Sequence, residues 1–111
     1  MRTAMRTFGL RVYTLRSPET LDSCRVQICP RHLSSFPLFG VKASGFWTAR
    51  DAFAPRLFVP ASFAAGEEPG EVVRGYRQSN EFAEDVRNFD VSAIVSVEST
   101  ILVPSTSSPL Q

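Results

Sequence analysis

Apolar and polar residues alternate near the start of the chain, where Phe8, Leu10 and Val12 interleave with Gly9, Arg11 and Tyr13. A period of two puts successive side chains on opposite faces of an extended backbone, so residues 6–16 are predicted as a first strand. Ser17-Pro18-Glu19 then changes the pattern. A serine hydroxyl can accept from the free amides of a first helical turn, proline loses no bond at the first helical position, and acidic residues suit the positive end of the helix dipole. A helix is therefore predicted from Pro18, with Leu21, Cys24 and Ile28 as its apolar stripe and Glu19, Asp22, Ser23 and Gln27 outward. Pro30 lacks an amide and its ring crowds the carbonyl of Val26, which predicts a kink or break near Cys29 and a short helical segment beyond it.

Pro37 and Gly40 end the helical region, and residues 41–50 read as a second strand with Phe46 and Trp47 near its middle. Residues 51–55 are a loop. Residues 56–64 form a third strand, with Leu57, Val59, Ala61 and Phe63 on one face and Phe58, Pro60 and Ser62 on the other. Pro60 cannot donate to a sheet ladder, so a bulge is predicted there. A turn at 66–70 leads to a helix over 71–78 offering Val72, Val73 and Tyr76 for burial, weakened by Gly75. Ser79 caps a further helix whose stripe is Phe82, Val86 and Phe89 and which ends at 88–90. Residues 91–103 are the last strand, with Val95, Val97, Ile101 and Val103 on one face and Ile94, Ser96, Glu98, Thr100 and Leu102 on the other. Pro104 stops it, and residues 105–111 read as a loose tail after a single domain with its core over about 6–104.

The order βαββαβ specifies an α+β fold of ferredoxin-like type, an antiparallel sheet with helices on one face. Strands one, three and four are apolar on both faces, yet helices can cover only one side of a single sheet. A second copy of the sheet is expected to cover the other, giving a two-fold homodimer with a barrel-like interior.

With 111 residues, 43% of them hydrophobic, the chain suits one globular core. Twelve basic against eleven acidic residues give a net charge of +1, too balanced for a nucleic-acid partner. Arg2, Arg6, Arg11 and Arg16 precede the first acidic residue, Glu19, as in a mitochondrial transit peptide, but such a peptide is an amphipathic helix and these residues alternate as a strand does. No apolar run nears the roughly 18 residues of a membrane span. A cytoplasmic protein with no membrane span is expected. Cys24 and Cys29, five apart, would lie about 140° apart on an α-helix, so a disulfide is not expected and both read as small buried side chains, their spacing matching no zinc motif.

His32 is the single histidine and continues the stripe of Leu21 and Ile28; it is the candidate general base or axial haem ligand, with no carboxylate partner readable nearby. Arg11 and Tyr13 share a face of the first strand, and Glu98 is expected to reach Arg11 across a neighbouring strand. A guanidinium lining an interior could instead orient an anionic or carbonyl-bearing ligand. Trp47, beside Phe46, could wall a pocket or fill the core. Phosphate loops, zinc clusters, nucleophile elbows and acidic metal cradles are missing from the sequence, so no cofactor is expected.

Four segments, in this order from Phe8 to Pro104, carry a resemblance: Leu10-Arg11-Val12-Tyr13-Thr14-Leu15-Arg16, Gly45-Phe46-Trp47, Ser79-Asn80-Glu81-Phe82 and Ser99-Thr100-Ile101-Leu102-Val103-Pro104. With them the chain resembles the NIPSNAP family of the dimeric α+β barrel superfamily. Pro18-Glu19 stands where family members often have Pro-Gly. The resemblance implies a dimer with a cleft between sheet and helices, and superfamily relatives look like cofactor-free monooxygenases, small-ring isomerases and haem-handling proteins. Three functions are expected in order: binding of a small apolar or aromatic molecule, cofactor-free oxygenase or isomerase chemistry, and a filled interaction scaffold. The first two place Arg11, Tyr13, His32 and Trp47 around a cavity.

Overall fold

A computed structural model describes residues 6–50 and 53–109. Arg2, the Asp51 and Ala52 of the expected loop and the last two residues of the tail lie outside the described residues. Four strands form one antiparallel sheet: β1 (Thr7–Leu15), β2 (Val41–Ala43), β3 (Arg56–Phe63) and β4 (Ile94–Leu102), in the spatial order β2-β3-β1-β4. Helices α1 (Pro18–Ser23), α2 (Cys29–Ser35), α3 (Pro69–Arg77) and α4 (Asn80–Asp85) complete the βαββαβ order. This is the ferredoxin-like α+β fold that the pattern specified. No helix among the described residues is long and apolar enough to cross a membrane.

The punctuation acts as expected at α1. Ser17 Oγ accepts from the Thr20 amide, Thr20 Oγ1 accepts from the Ser17 amide, and the pair forms a capping box, worth about 1 kcal/mol to the helix. Pro30 does not break the helical run. Cys24–Ile28 forms a π-helical turn ahead of it, wider where the ring would crowd the Val26 carbonyl, and the helix continues through α2. That turn also corrects the cysteine geometry. The Cys29 amide donates to the Cys24 carbonyl, five residues back, which stacks the two side chains on one side. Both are buried free thiols, as expected, but they touch and share a hydrogen bond. Gly40, at φ 76°, ends the following 3-10 turn Phe36–Phe39 in the left-handed conformation that glycine adopts without strain.

The second strand is shorter than predicted, and Pro60 is the reason. The pairing β1 with β3 runs unbroken through Leu10 opposite Pro60. On the other side of β3 the Ser44 amide donates to the Pro60 carbonyl, so the missing Pro60 amide faces β2. The regular ladder stops at Ala43 opposite Ala61 and resumes only as a Trp47–Phe58 bridge. Three residues, 44 to 46, oppose two, 59 and 60, which is the bulge expected at this proline, carried by its neighbour. The extra residue reverses the phase. Phe46 turns to the helix side and packs on the core, and Trp47 turns to the open side with Phe58.

A second irregularity lies between Thr14 and Leu15, where β4 carries an extra residue. Ile94 thereby faces Leu15 and packs into the core rather than sharing the face of Ser96 and Glu98, while Val95 is left exposed. The core sits on the helix side of the sheet around Leu15, Ile28, Leu57 and Val59, with Val41, Ala61 and Phe63 forming a second cluster under Phe36, Val72 and Val73. Phe8, Leu10, Val12, Phe58, Pro60 and Leu102 alternate with these on the opposite face, interspersed with Ser62, Glu98 and Thr100, and among the described residues no helix lies upon it.

Candidate functional site

A cavity of about 220 Å³ lies between the sheet and the helices. Its sheet wall carries Arg11 and Tyr13 beside Leu57 and Val59, and its helix wall carries His32 and Tyr76 among phenylalanines. Most of the lining is apolar. Its volume exceeds the roughly 150 Å³ that admits benzene and falls below the roughly 300–1,000 Å³ of drug-sized pockets, so a single-ring molecule fits and a haem macrocycle does not. Among the described residues no cluster of three or more His, Cys, Asp or Glu side chains could hold a metal.

Helix packing brings four polar side chains together on the helix wall. Ser35 lies one turn beyond His32 on α2, and Asp85 lies one turn beyond Phe82 on α4, both on the buried sides of their helices. Ser35 Oγ donates to Asp85 Oδ1 at 3.0 Å, and the Tyr76 hydroxyl donates to Asp85 Oδ2 at 2.5 Å. His32 Nδ1 lies 2.7 Å from the same hydroxyl oxygen and 3.6 Å from Asp85 Oδ2, so the hydroxyl bridges imidazole and carboxylate. Arg31 ties the two helices from outside by donating to the carbonyls of Asp85 and Arg87. The aromatic packing is equally specific: His32 stacks on Phe36 at 4.6 Å, and the Tyr76 ring meets Phe36, Phe39 and Phe82 edge-on.

Burial lowers the pKa of His32 below its ordinary value, against the attraction of Asp85, so the imidazole is neutral at pH 7. Tyr76 is pushed well above the ordinary phenol value, first by burial and then by its bond to Asp85 and the charge there. Its hydroxyl therefore keeps its proton throughout the physiological range.

Arg11 is held differently. Its Nε donates to the Tyr13 hydroxyl at 2.9 Å and its guanidinium lies 5.5 Å from the Tyr13 ring centroid. Among the described residues, no carboxylate forms an ion pair with it. The expected partner, Glu98, pairs in register with Val12 and so faces the opposite side of the sheet; Ser99 is the residue opposite Arg11. Trp47 also lies on that opposite side and is exposed, and Phe46 takes the wall position expected of it. Of the five residues the sequence nominated, Arg11, Tyr13 and His32 meet at the cavity, and Trp47 and Glu98 do not.

Asp85, Tyr76 and Ser35 were not nominated. Asp85 falls three residues after Phe82 and one before Val86, a carboxylate within an apolar stripe, and that was the legible signal of a buried partner.

No protein-family model and no curated protein matches this chain. Solved structures do. A NIPSNAP family protein from Agrobacterium tumefaciens superposes with a TM-score of 0.72 at 18% identity, over 96% of this chain and 100% of its own. An uncharacterized NIPSNAP domain protein from Burkholderia xenovorans gives 0.67 at 14% identity, over 93% and 98%. A second A. tumefaciens protein, described as a NIPSNAP family protein with unknown function, gives 0.67 at 16% identity, over 99% and 97%. At these identities what is shared is the backbone architecture: in fold, this chain is built as the NIPSNAP family proteins of known structure are built.

Proposed function

We propose that the chain is a NIPSNAP-like cytoplasmic protein that forms a homodimer and binds a small, single-ring molecule with an anionic or carbonyl end in the cavity between sheet and helices. The observation that carries the reading is Arg11, a half-buried guanidinium with no ion-pair partner among the described residues, set with Tyr13 in a mostly apolar wall. Leaving such a group unpaired costs free energy that a carboxylate or carbonyl ligand would recover through charge-assisted hydrogen bonds. A filled scaffold, the third reading, is less well supported by a cavity of this volume.

The dimer rests on the sheet. Its helix-free face carries Phe8, Leu10, Val12, Phe58 and the exposed Leu102, and Arg56 Nε is enclosed without an acceptor among the described residues on the same face. A second copy packed there by a two-fold axis covers the apolar residues of both. Native mass spectrometry of freshly purified protein, read intact and again after denaturation, tests both halves. The expected result is a dimer mass carrying a small-molecule adduct that denaturation releases. A bare monomer would remove the dimer, and a bare dimer that also fails to take up added benzoate would remove the ligand.

A further inference from the structure

The protons of the helix wall can be assigned from its distances. Tyr76 has one hydroxyl proton, and the 2.5 Å contact gives it to Asp85. Toward His32 the same oxygen can then only accept, so Nδ1 carries the imidazole proton and donates at 2.7 Å. A neutral imidazole has one N–H, which leaves a lone pair on Nε2. Among the described residues nothing donates to Nε2, and it is not sealed in, since Arg56 Nε is the enclosed side-chain atom left without a partner. On the sheet wall the balance is the reverse. Arg11 spends one N–H on Tyr13, whose hydroxyl accepts that bond and keeps its own proton to give. The cavity therefore offers an unspent acceptor on the helix side and unspent donors on the sheet side, with apolar surface between them.

We infer that His32 is a general base in this cavity and that the molecule it acts on is a single-ring carbonyl acid bearing an acidic C–H next to the carbonyl. The inference rests on the ligand reading above. In the step, Nε2 takes the proton, the C–H pair becomes the carbon–carbon double bond of an enolate, and the carbonyl π pair moves onto oxygen. Arg11 and the Tyr13 hydroxyl meet that oxygen. The imidazolium so formed is stabilised through Tyr76 and by the Asp85 carboxylate 3.6 Å from Nδ1. Return of the proton to oxygen gives the enol, and return to carbon gives back the keto form or exchanges its hydrogen with solvent. No oxidant or cofactor enters the balance. Tyr76 and Asp85 are positioning residues here, because they act through His32.

The experiment uses phenylpyruvate, which has the ring, the carboxylate and an acidic methylene. Its exchange in D₂O is followed by proton NMR, and its binding separately by saturation transfer. The unmutated protein is expected to bind it and to exchange the methylene at least about 100-fold faster than His32→Gln, the usual lower range of general-base catalysis, while His32→Gln still binds. Arg11→Met is expected to weaken binding. Binding without accelerated exchange, or equal exchange by His32→Gln, overturns the base and leaves the ligand reading standing; failure to bind overturns both. Because His32 is the single histidine, nitrogen-15 NMR of the unmutated protein assigns its tautomer directly. An Nδ1–H form is expected, and an Nε2–H form would overturn the base even if the variants failed to fold.

Discussion

Replacing Tyr76 by Phe removes one oxygen atom and leaves the ring packed among Phe36, Phe39 and Phe82. Two bonds are lost, the short one to Asp85 and the one from His32. Asp85 is 5% exposed and, among the described residues, keeps Ser35 Oγ as its side-chain hydrogen-bond donor. A hydrogen bond to a charged group contributes about 1.5–3 kcal/mol and a neutral one about 1 kcal/mol, so Tyr76→Phe should cost about 3 kcal/mol. For a domain of this length that is a fall in Tm of roughly 12 °C. Tyr13→Phe makes the same chemical change at a half-buried hydroxyl that water can replace, and should cost about 1 kcal/mol or less. Urea unfolding followed by circular dichroism, at two protein concentrations to separate folding from association, measures both. If Tyr76→Phe shifts stability by less than about 0.5 kcal/mol at unchanged slope, or by no more than Tyr13→Phe, the buried relay is refuted.

Three further outcomes are expected. The pKa of His32 is lowered by burial despite the facing Asp85 carboxylate, and the Tyr76 hydroxyl between them stays protonated. The unfolded chain therefore takes up a proton near its ordinary value while the folded one does not, so this group's contribution to stability is complete above about pH 6.5 and is lost as pH falls through the folded pKa; imidazole NMR and urea midpoints across that range should show it, and an imidazole that titrates at or above 6.5 would contradict it. Cys24 and Cys29 are each 6% exposed; their shared hydrogen bond and then burial hold Cys29 as the thiol, while the same bond lowers the pKa of Cys24, and because neither sulfur is open to reagent, intact-mass labelling with iodoacetamide at neutral pH should modify neither until denaturant is added. Leu102→Lys, opposite Phe8 on the helix-free face of the edge strand, should weaken the dimer about tenfold or more in sedimentation, equivalent to about 1.4 kcal/mol, with an unchanged circular dichroism spectrum; an unaltered dimer would move the interface elsewhere.

The sequence by itself determined the element order, the caps at Ser17 and Ser79 and the alternating faces of the first and third strands, because these depend on periodicity and on residues within one turn of each other. From that periodicity Arg11 and Tyr13 could be placed on one face, and His32 on the core side of its helix. Tertiary structure decided what depends on a one-residue change of phase. The bulge opposite Pro60 exchanged Phe46 for Trp47, the extra residue at Val95 brought Ile94 into the core, and the π-turn brought Cys24 onto Cys29. Glu98 missed Arg11 for a related reason, since the strand register places it opposite Val12. The relay was legible only in part: Asp85 interrupts an apolar stripe and Ser35 lies one turn from His32 on the same helix, but Tyr76 and Asp85 come from two other helices and meet His32 only when those helices pack on one another. Spacing along the chain fixes which side of its own helix a residue occupies, but which residues of other helices it meets is set by how those helices cross over the sheet.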